Sequence, residues 1–333
     1  MTKNKKETIL IFIIATVLHL IVDLFSIYTV GNLVRNVNHK LIVIMLYNFF
    51  AFCLQMPIGL VSDKINKNFE ITSMGCFFIF LSYWIKEINL CIFLVGIGNA
   101  MFHIGMGREV LIRSENKATM PGIFVSTGAI GVYLGKQLLN NELKIEFLFL
   151  IIVALIFFII KNHSQKIKKE KVYNINKTRI LVILLFAISV GIRAFVGVIK
   201  FDNSIENKLL ITVIAVFLGK FFGGILSDKF GMRNITIVSL SLSIISFLFY
   251  QNNYFYILGT FLFNMTMPIT VTIISNIMSD KKGFAFGITT FMLFIGSSFI
   301  YFNNMYVGYL VIPFLMIQIV LMMYGFYIYK NMI

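Results

Sequence analysis

Charge is scarce in this chain. Only 13% of its 333 residues are charged, and the 14 acidic residues are outnumbered by 29 lysines and arginines. A soluble domain carries about 25% charged and about 45–50% apolar residues. Here 59% are hydrophobic, and no soluble core is large enough to hide that much apolar surface. Cysteine is nearly absent too. Cys53, Cys76 and Cys91 all fall in apolar runs. They lack metal-ligand spacing, so neither a disulfide framework nor a thiolate metal site is expected, and their role is packing. There is no HExxH run, no paired cysteine and no long catalytic loop. A membrane-embedded enzyme using His19 and Asp23 as an acid/base pair would therefore have neither nucleophile nor metal. We expect no catalytic residue, no metal and no cofactor. No pore loop or charge ring is present, which excludes a channel. No basic patch alternates with exposed aromatics, which excludes nucleic acid as a partner.

What is present is long apolar sequence, with a mean hydropathy of +0.89. Continuous segments of roughly 17–25 apolar residues read as spanning helices. They fall near 8–29, 41–62, 70–86, 88–112, 119–138, 145–161, 179–200, 208–227, 234–251, 254–278, 283–302 and 305–328. The expected fold is an all-α membrane protein of 12 transmembrane helices, six in each half. The runs are continuous rather than alternating, which excludes a β-barrel. The first run is expected to remain as a helix, because it contains His19 and Asp23 and lacks a small-residue cleavage site.

The charges have sides. With the N-terminus in the cytoplasm, 20 of the 29 basic residues fall inside, seven fall outside, and Arg193 and Lys220 lie within the membrane. By the positive-inside rule both termini are cytoplasmic. The protein is thus expected in the inner (plasma) membrane as a multi-pass monomer. The basic excess is topological, with contact to anionic lipid of the bilayer.

The chain repeats itself. GLVSDK at 59–64 returns 165 residues later as GILSDK at 224–229, and the same offset pairs Asn99 with Asn264, Gly122 with Gly287 and Gly131 with Gly296. We therefore expect an N-terminal six-helix bundle over 1–165, a basic cytoplasmic linker over 166–178 and a C-terminal six-helix bundle over 179–333. A duplicated half in a membrane protein marks a secondary transporter, with its substrate site between the halves.

Each copy of the repeated string closes an even-numbered helix. Gly59 and Gly224 let a neighbouring helix approach. Asp63 and Asp228 lie at the membrane edge, where a carboxylate can hold the first turn of an adjacent helix. GLVSDKINKN (59–68) and GILSDKFGMR (224–233) resemble the G-x-x-x-D-[RK]-x-G-[RK]-[RK] loop of the major facilitator superfamily. Asn66 stands where that loop has glycine, and asparagine still tolerates a left-handed backbone. The resemblance covers the whole chain. It implies two bundles, a central cavity and alternating access, with Gly59, Asp63, Lys64, Gly224, Asp228 and Lys229 as gating residues; loop capping without gating is the alternative for the aspartates. GNAMFHIGMGREVL (98–111) and GIFVSTGAIGVYLG (122–135) are similar to the fosmidomycin-resistance-type branch, which contains drug exporters. Ala129 follows Gly128 where such exporters carry proline.

Charge inside a bilayer costs about 2.5–3.5 kcal/mol per residue, so it usually faces a cavity. Here the interior polar residues are His19 and Asp23, Asn99 and His103, Arg193, Lys220 and Asn264. These seven are the candidate substrate and proton site. The resemblance places helices one, four, seven and ten around the cavity. His19 and Asp23 share a helix face. Asp23 and Arg193 reach similar depth, so they are expected to face each other across the cleft, with Asp23 as proton site and Arg193 as anion anchor; a permanent structural ion pair is the alternative. Arg108 and Glu109 are expected to snorkel. Pro268 should kink the tenth helix. The expected function is proton-coupled movement of a small organic anion or zwitterion, with export preferred. Export of lipophilic cations, import of a nutrient anion and a non-transporting sensor remain open.

Overall fold

A computed structural model describes residues 3–35, 37–141, 176–199, 209–299 and 310–332. Every regular element among them is helical. The expected sixth span (145–161) and nearly all of the linker lie outside the described residues.

In the N-terminal half, α1 is Lys3–Arg35, α2 Lys40–Asn48, α3 Gln55–Ile65, α4 Asn68–Trp84, α5 Ile88–Arg113 and α6 Thr119–Asn141. In the C-terminal half, α7 is Lys177–Val198, α8 Leu209–Phe230, α9 Met232–Leu248, α10 Asn253–Asn264, α11 Thr266–Ile277, α12 Lys282–Ser298 and α13 Val311–Lys330. Eight spans are long and apolar enough to cross a membrane by themselves. Helices α4, α9 and α12, at 17 residues each, complete a multi-pass bundle.

Two expected spans are interrupted, and both interruptions precede a proline. A five-residue π-helical turn, Phe49–Cys53, joins α2 to α3. Pro57 has no N–H to offer the Cys53 carbonyl, which loosens the ladder there. Buried Gln55 compensates in part, its Nε2 donating to the Ala51 carbonyl at 2.7 Å. The tenth span divides at Met265 into α10 and α11. Pro268 withholds the bond the Asn264 carbonyl would accept. Met265 alone interrupts the helix, and its φ of −61° and ψ of −24° stay helical, so α10 and α11 continue as one span with a local defect.

Lipid is as apolar as a leucine side chain, so helices in a bilayer associate by close packing rather than by hiding apolar surface from water. The exposed side chains fit this. Phe77 on α4, Ile245 on α9 and Val320 on α13 all point outward. Interior contacts rely on small residues. Gly128, Gly131 and Gly135 form one stripe on α6 that lies against α1. One buried core joins α1, α4, α5 and α6, and a second joins α7 to α13. Val271 and Phe286 of the C-terminal half belong to the first core. The halves meet where α6 runs along α8 and α12 along α3.

A Cβ at Gly135 would lie 3.2 Å from Ile27 Cβ and 2.5 Å from the Leu24 carbonyl oxygen. Gly135→Val should destabilise the protein by about 1–3 kcal/mol through overpacking. Thermal unfolding in detergent should show a lower midpoint, and an unchanged midpoint would argue against the close α1–α6 contact.

Candidate functional site

The first four amides of a helix have no partner within it and attract negative charge. Both repeated aspartates use this. Asp63 accepts from the amides of Gly283 (2.9 Å) and Phe284 (2.8 Å), in the first turn of α12. Asp228 accepts from the amides of Ala118 and Thr119, each at 2.8 Å, where α6 begins. The 165-residue offset relates the two aspartates and also their partners. Each half therefore caps a helix of the other. Gly59 and Gly224 sit beside these caps. A Cβ on Gly59 would strike the Gly283 carbonyl, and one on Gly224 the Ala118 carbonyl. Asn66 takes the left-handed conformation at φ 55°, and its repeat mate Gly231 lies at φ 90°.

The two caps differ in what stands behind them. Arg108 Nε donates to Asp63 at 2.7 Å, and its Nη1 reaches Asn66 at 2.9 Å and Asn68 at 2.5 Å. Asn68 Nδ2 in turn donates to Glu109 at 2.6 Å, and Glu109 accepts from Arg113 at 2.7 Å. Lys282 Nζ donates to the Leu111 carbonyl in the last turn of α5 at 3.1 Å, where a cation is favoured. Arg108 and Glu109 do not snorkel. They are buried at 7% and 1% exposure and carry the network behind Asp63. The repeat positions of Arg108 and Glu109 are Ile273 and Ile274, so Asp228 has no such support. Lys64 and Lys229 are exposed and stand outside both caps; Lys229 lies over the Phe230 ring.

Deeper in the N-terminal half, α1 and α5 bring four expected site residues together. His19 Nε2 is 3.3 Å from Asp23 Oδ2, and His103 Nε2 is 3.7 Å from Asp23 Oδ1. The two Nε2 atoms are 2.9 Å apart. Asn99 Nδ2 donates to Asp23 at 3.2 Å. On the far side of each ring, His19 Nδ1 donates to the Phe124 carbonyl at 2.6 Å and His103 Nδ1 to the Asn99 carbonyl at 2.9 Å. A carbonyl oxygen only accepts, so both Nδ1 atoms carry hydrogen. In neutral rings both Nε2 atoms then present lone pairs to each other. Gly128 makes room for this cluster, because a Cβ there would lie 2.5 Å from Asp23 Oδ2 and 2.9 Å from His19 Nε2.

The C-terminal half holds a cavity of 290 Å3 lined among others by Arg193, Lys220, Asn264, Tyr256, Thr260 and Thr212. Among the described residues, none that lines it is acidic. Arg193 is 5% exposed, yet its Nε has no hydrogen-bond partner among the described residues. Lys220 lies within electrostatic range of both Arg193 and Asp23.

The expected Asp23–Arg193 pair is not formed among the described residues. Asp23 is satisfied inside its own half by His19, His103 and Asn99, and Arg193 faces the cavity. Matching depths set only the height of a residue on its helix, while partner choice depends on which way it points around the axis. The network of Arg108, Asn68, Glu109, Arg113 and Lys282 was missed for a related reason. Its one local signal is the i,i+4 spacing of Glu109 and Arg113.

The cap asymmetry is testable. Asp63→Ala leaves Arg108 buried beside Asn66 and Asn68 without its carboxylate, and breaking a buried pair costs about 3–5 kcal/mol. Asp228→Ala removes an exposed cap, typically about 0.5–2 kcal/mol. Thermal unfolding should rank Asp63→Ala well below Asp228→Ala, and equal midpoints would contradict the role given to Arg108.

No protein-family model matches this sequence, and no curated protein matches it. Solved structures do. One is the major facilitator superfamily transporter FucP in the outward conformation, at 12% identity over 93% of this chain and 97% of that one, with a TM-score of 0.61. Another is a single-substitution variant of the E. coli fucose:proton symporter FucP, at 12% identity over 92% and 97% of the two chains, with a TM-score of 0.58. With its duplicated halves and reciprocal caps, the chain has the fold of the major facilitator superfamily transporters.

Proposed function

We propose that this protein is a secondary active transporter that moves a small organic anion across the plasma membrane by alternating access, coupled to protons. The observation that carries this reading is the C-terminal cavity. Among the described residues, a buried guanidinium with an unpartnered Nε shares it with Lys220 and Asn264, and no acid lines it. An anionic ligand satisfies both the charge and the open donor. The N-terminal cluster supplies the proton site. Lys220, near both Asp23 and Arg193, links it to the cavity, so that charge on one site is felt at the other.

Gating falls to the caps. They draw together the ends of α3, α6, α8 and α12, beside Lys64, Lys117, Lys229 and Lys281. The positive-inside rule puts those ends in the cytoplasm, so this conformation is closed on the cytoplasmic side. Opening there requires both aspartates to release the helix ends they cap. The solved relative named as outward has the same fold, which supports the reading. Asp23 already has two imidazoles and an amide as partners, which argues against a cation drug pocket centred on it. Export is the preferred direction, as the likeness to drug exporters favours it.

Ligand screening by thermal shift tests the substrate class. At about 100 times its Kd a ligand adds about 2.7 kcal/mol of apparent stability. Small carboxylates, phosphonates or other organic anions should raise the midpoint of the wild type and leave Arg193→Ala unmoved. Stabilisation by lipophilic cations, equal in both proteins, would instead favour a multidrug exporter. In proteoliposomes, Asp23→Asn should still exchange substrate but fail to accumulate it under an imposed pH gradient. Accumulation at the wild-type level would remove Asp23 from the coupling.

A further inference from the structure

We propose that His19, Asp23 and His103 form a binding site for one divalent first-row transition-metal ion, of which Zn2+ is the test case. This inference does not depend on the transport reading.

The donor set comes first. These three side chains are a group in which one ligand atom from each lies within 4.8 Å of the others. Two imidazoles and one carboxylate suit Zn2+, Fe2+, Ni2+ and related ions, whereas Mg2+ and Ca2+ prefer all-oxygen shells. The spacing agrees. Bonds of about 2.0–2.1 Å in a tetrahedral site put ligand atoms about 3.3 Å apart. Here the two Nε2 atoms are 2.9 Å apart, His19 Nε2 lies 3.3 Å from Asp23 Oδ2, and His103 Nε2 lies 3.7 Å from Asp23 Oδ1.

The outer shell is that of a metal site. A ligating histidine almost always gives its other N–H to a carbonyl or carboxylate, which fixes the tautomer and aims the free lone pair. Both rings do so, through the Phe124 and Asn99 carbonyls. Asn99 holds the Asp23 carboxylate, and the His19 ring stacks on Phe124 with centroids 4.5 Å apart. Two lone pairs held 2.9 Å apart on one side of a carboxylate converge where a metal ion would sit. Three protein ligands leave a fourth position open, as in exchangeable rather than closed structural sites. The open side is that of Asp23, whose side chain is 15% exposed against 5% for His19.

Isothermal titration of the purified full chain in detergent with ZnCl2 tests the site. We expect saturable binding of one Zn2+ per chain. His103→Ala and Asp23→Asn should each weaken binding by at least about 100-fold, since even outer-shell losses cost about 10–100-fold. His39→Ala and His163→Ala, the other two histidines of the chain, should bind as the wild type does. Absence of saturable binding would overturn the proposal. So would binding that survives His103→Ala and Asp23→Asn, or that is lost in His39→Ala or His163→Ala. Should His103→Ala fail to fold, His103→Gln replaces it, and zinc-edge X-ray absorption on the wild type gives a second readout. Two imidazole nitrogens and a carboxylate oxygen support the site; a sulfur-containing or all-water shell refutes it. Anion stabilisation through Arg193 is measured in metal-free buffer, so either result can fail while the other stands.

Discussion

A carboxylate that caps a helix belonging to the other half is the contact on which this architecture turns. Helices in a bilayer gain little by burying apolar surface against one another, so the halves need a different reason to close. The free amides at the starts of α6 and α12 supply it. Asp228 and Asp63 meet them at 2.8–2.9 Å. The glycines one turn earlier, Gly224 and Gly59, let the backbones come near enough for those bonds to form.

The two halves share this contact but not their chemistry. The N-terminal half backs its cap with Arg108, Asn68, Glu109 and Arg113, and deeper down it gathers His19, Asp23, Asn99 and His103. The C-terminal half has isoleucines where Arg108 and Glu109 would repeat and places Arg193 and Lys220 around a cavity with no acid among its described lining residues. Duplication thus preserved the closing geometry, while divergence gave one half the histidine–carboxylate cluster and the other the cavity-lining Arg193 and Lys220. On α8, three residues past Lys220, Gly223 packs so closely on Met265 that a Cβ would fall 2.6 Å from Met265 Cα.

Much of the fold could be read before any coordinates. The apolar runs set the helices, and their boundaries agree to within a few residues for α5 and α6. Asn66 was expected to accept a left-handed backbone and does so. Pro268 was expected to bend its span, and the helix is interrupted at Met265, three residues before it. These are local properties, governed by hydrogen-bond ladders and steric limits within a turn or two. The π-helical turn at Phe49–Cys53 was harder to see, since Pro57 lies four residues past the break and nothing in FFAFC departs from an ordinary apolar helix.

The sequence by itself determined which residues enter the membrane, where the chain repeats and which polar groups are too costly to face lipid. Each follows from composition, period or the price of charge in hydrocarbon. Tertiary structure alone decided who meets whom. His19 and His103 stand 84 residues apart in the chain and 2.9 Å apart in space, whereas Asp23 and Arg193, level in the membrane, do not pair. A helix fixes the height of its side chains through its rise, but the direction each one faces across the bundle depends on how neighbouring helices pack, and here glycines such as Gly128 and Gly131 set that packing.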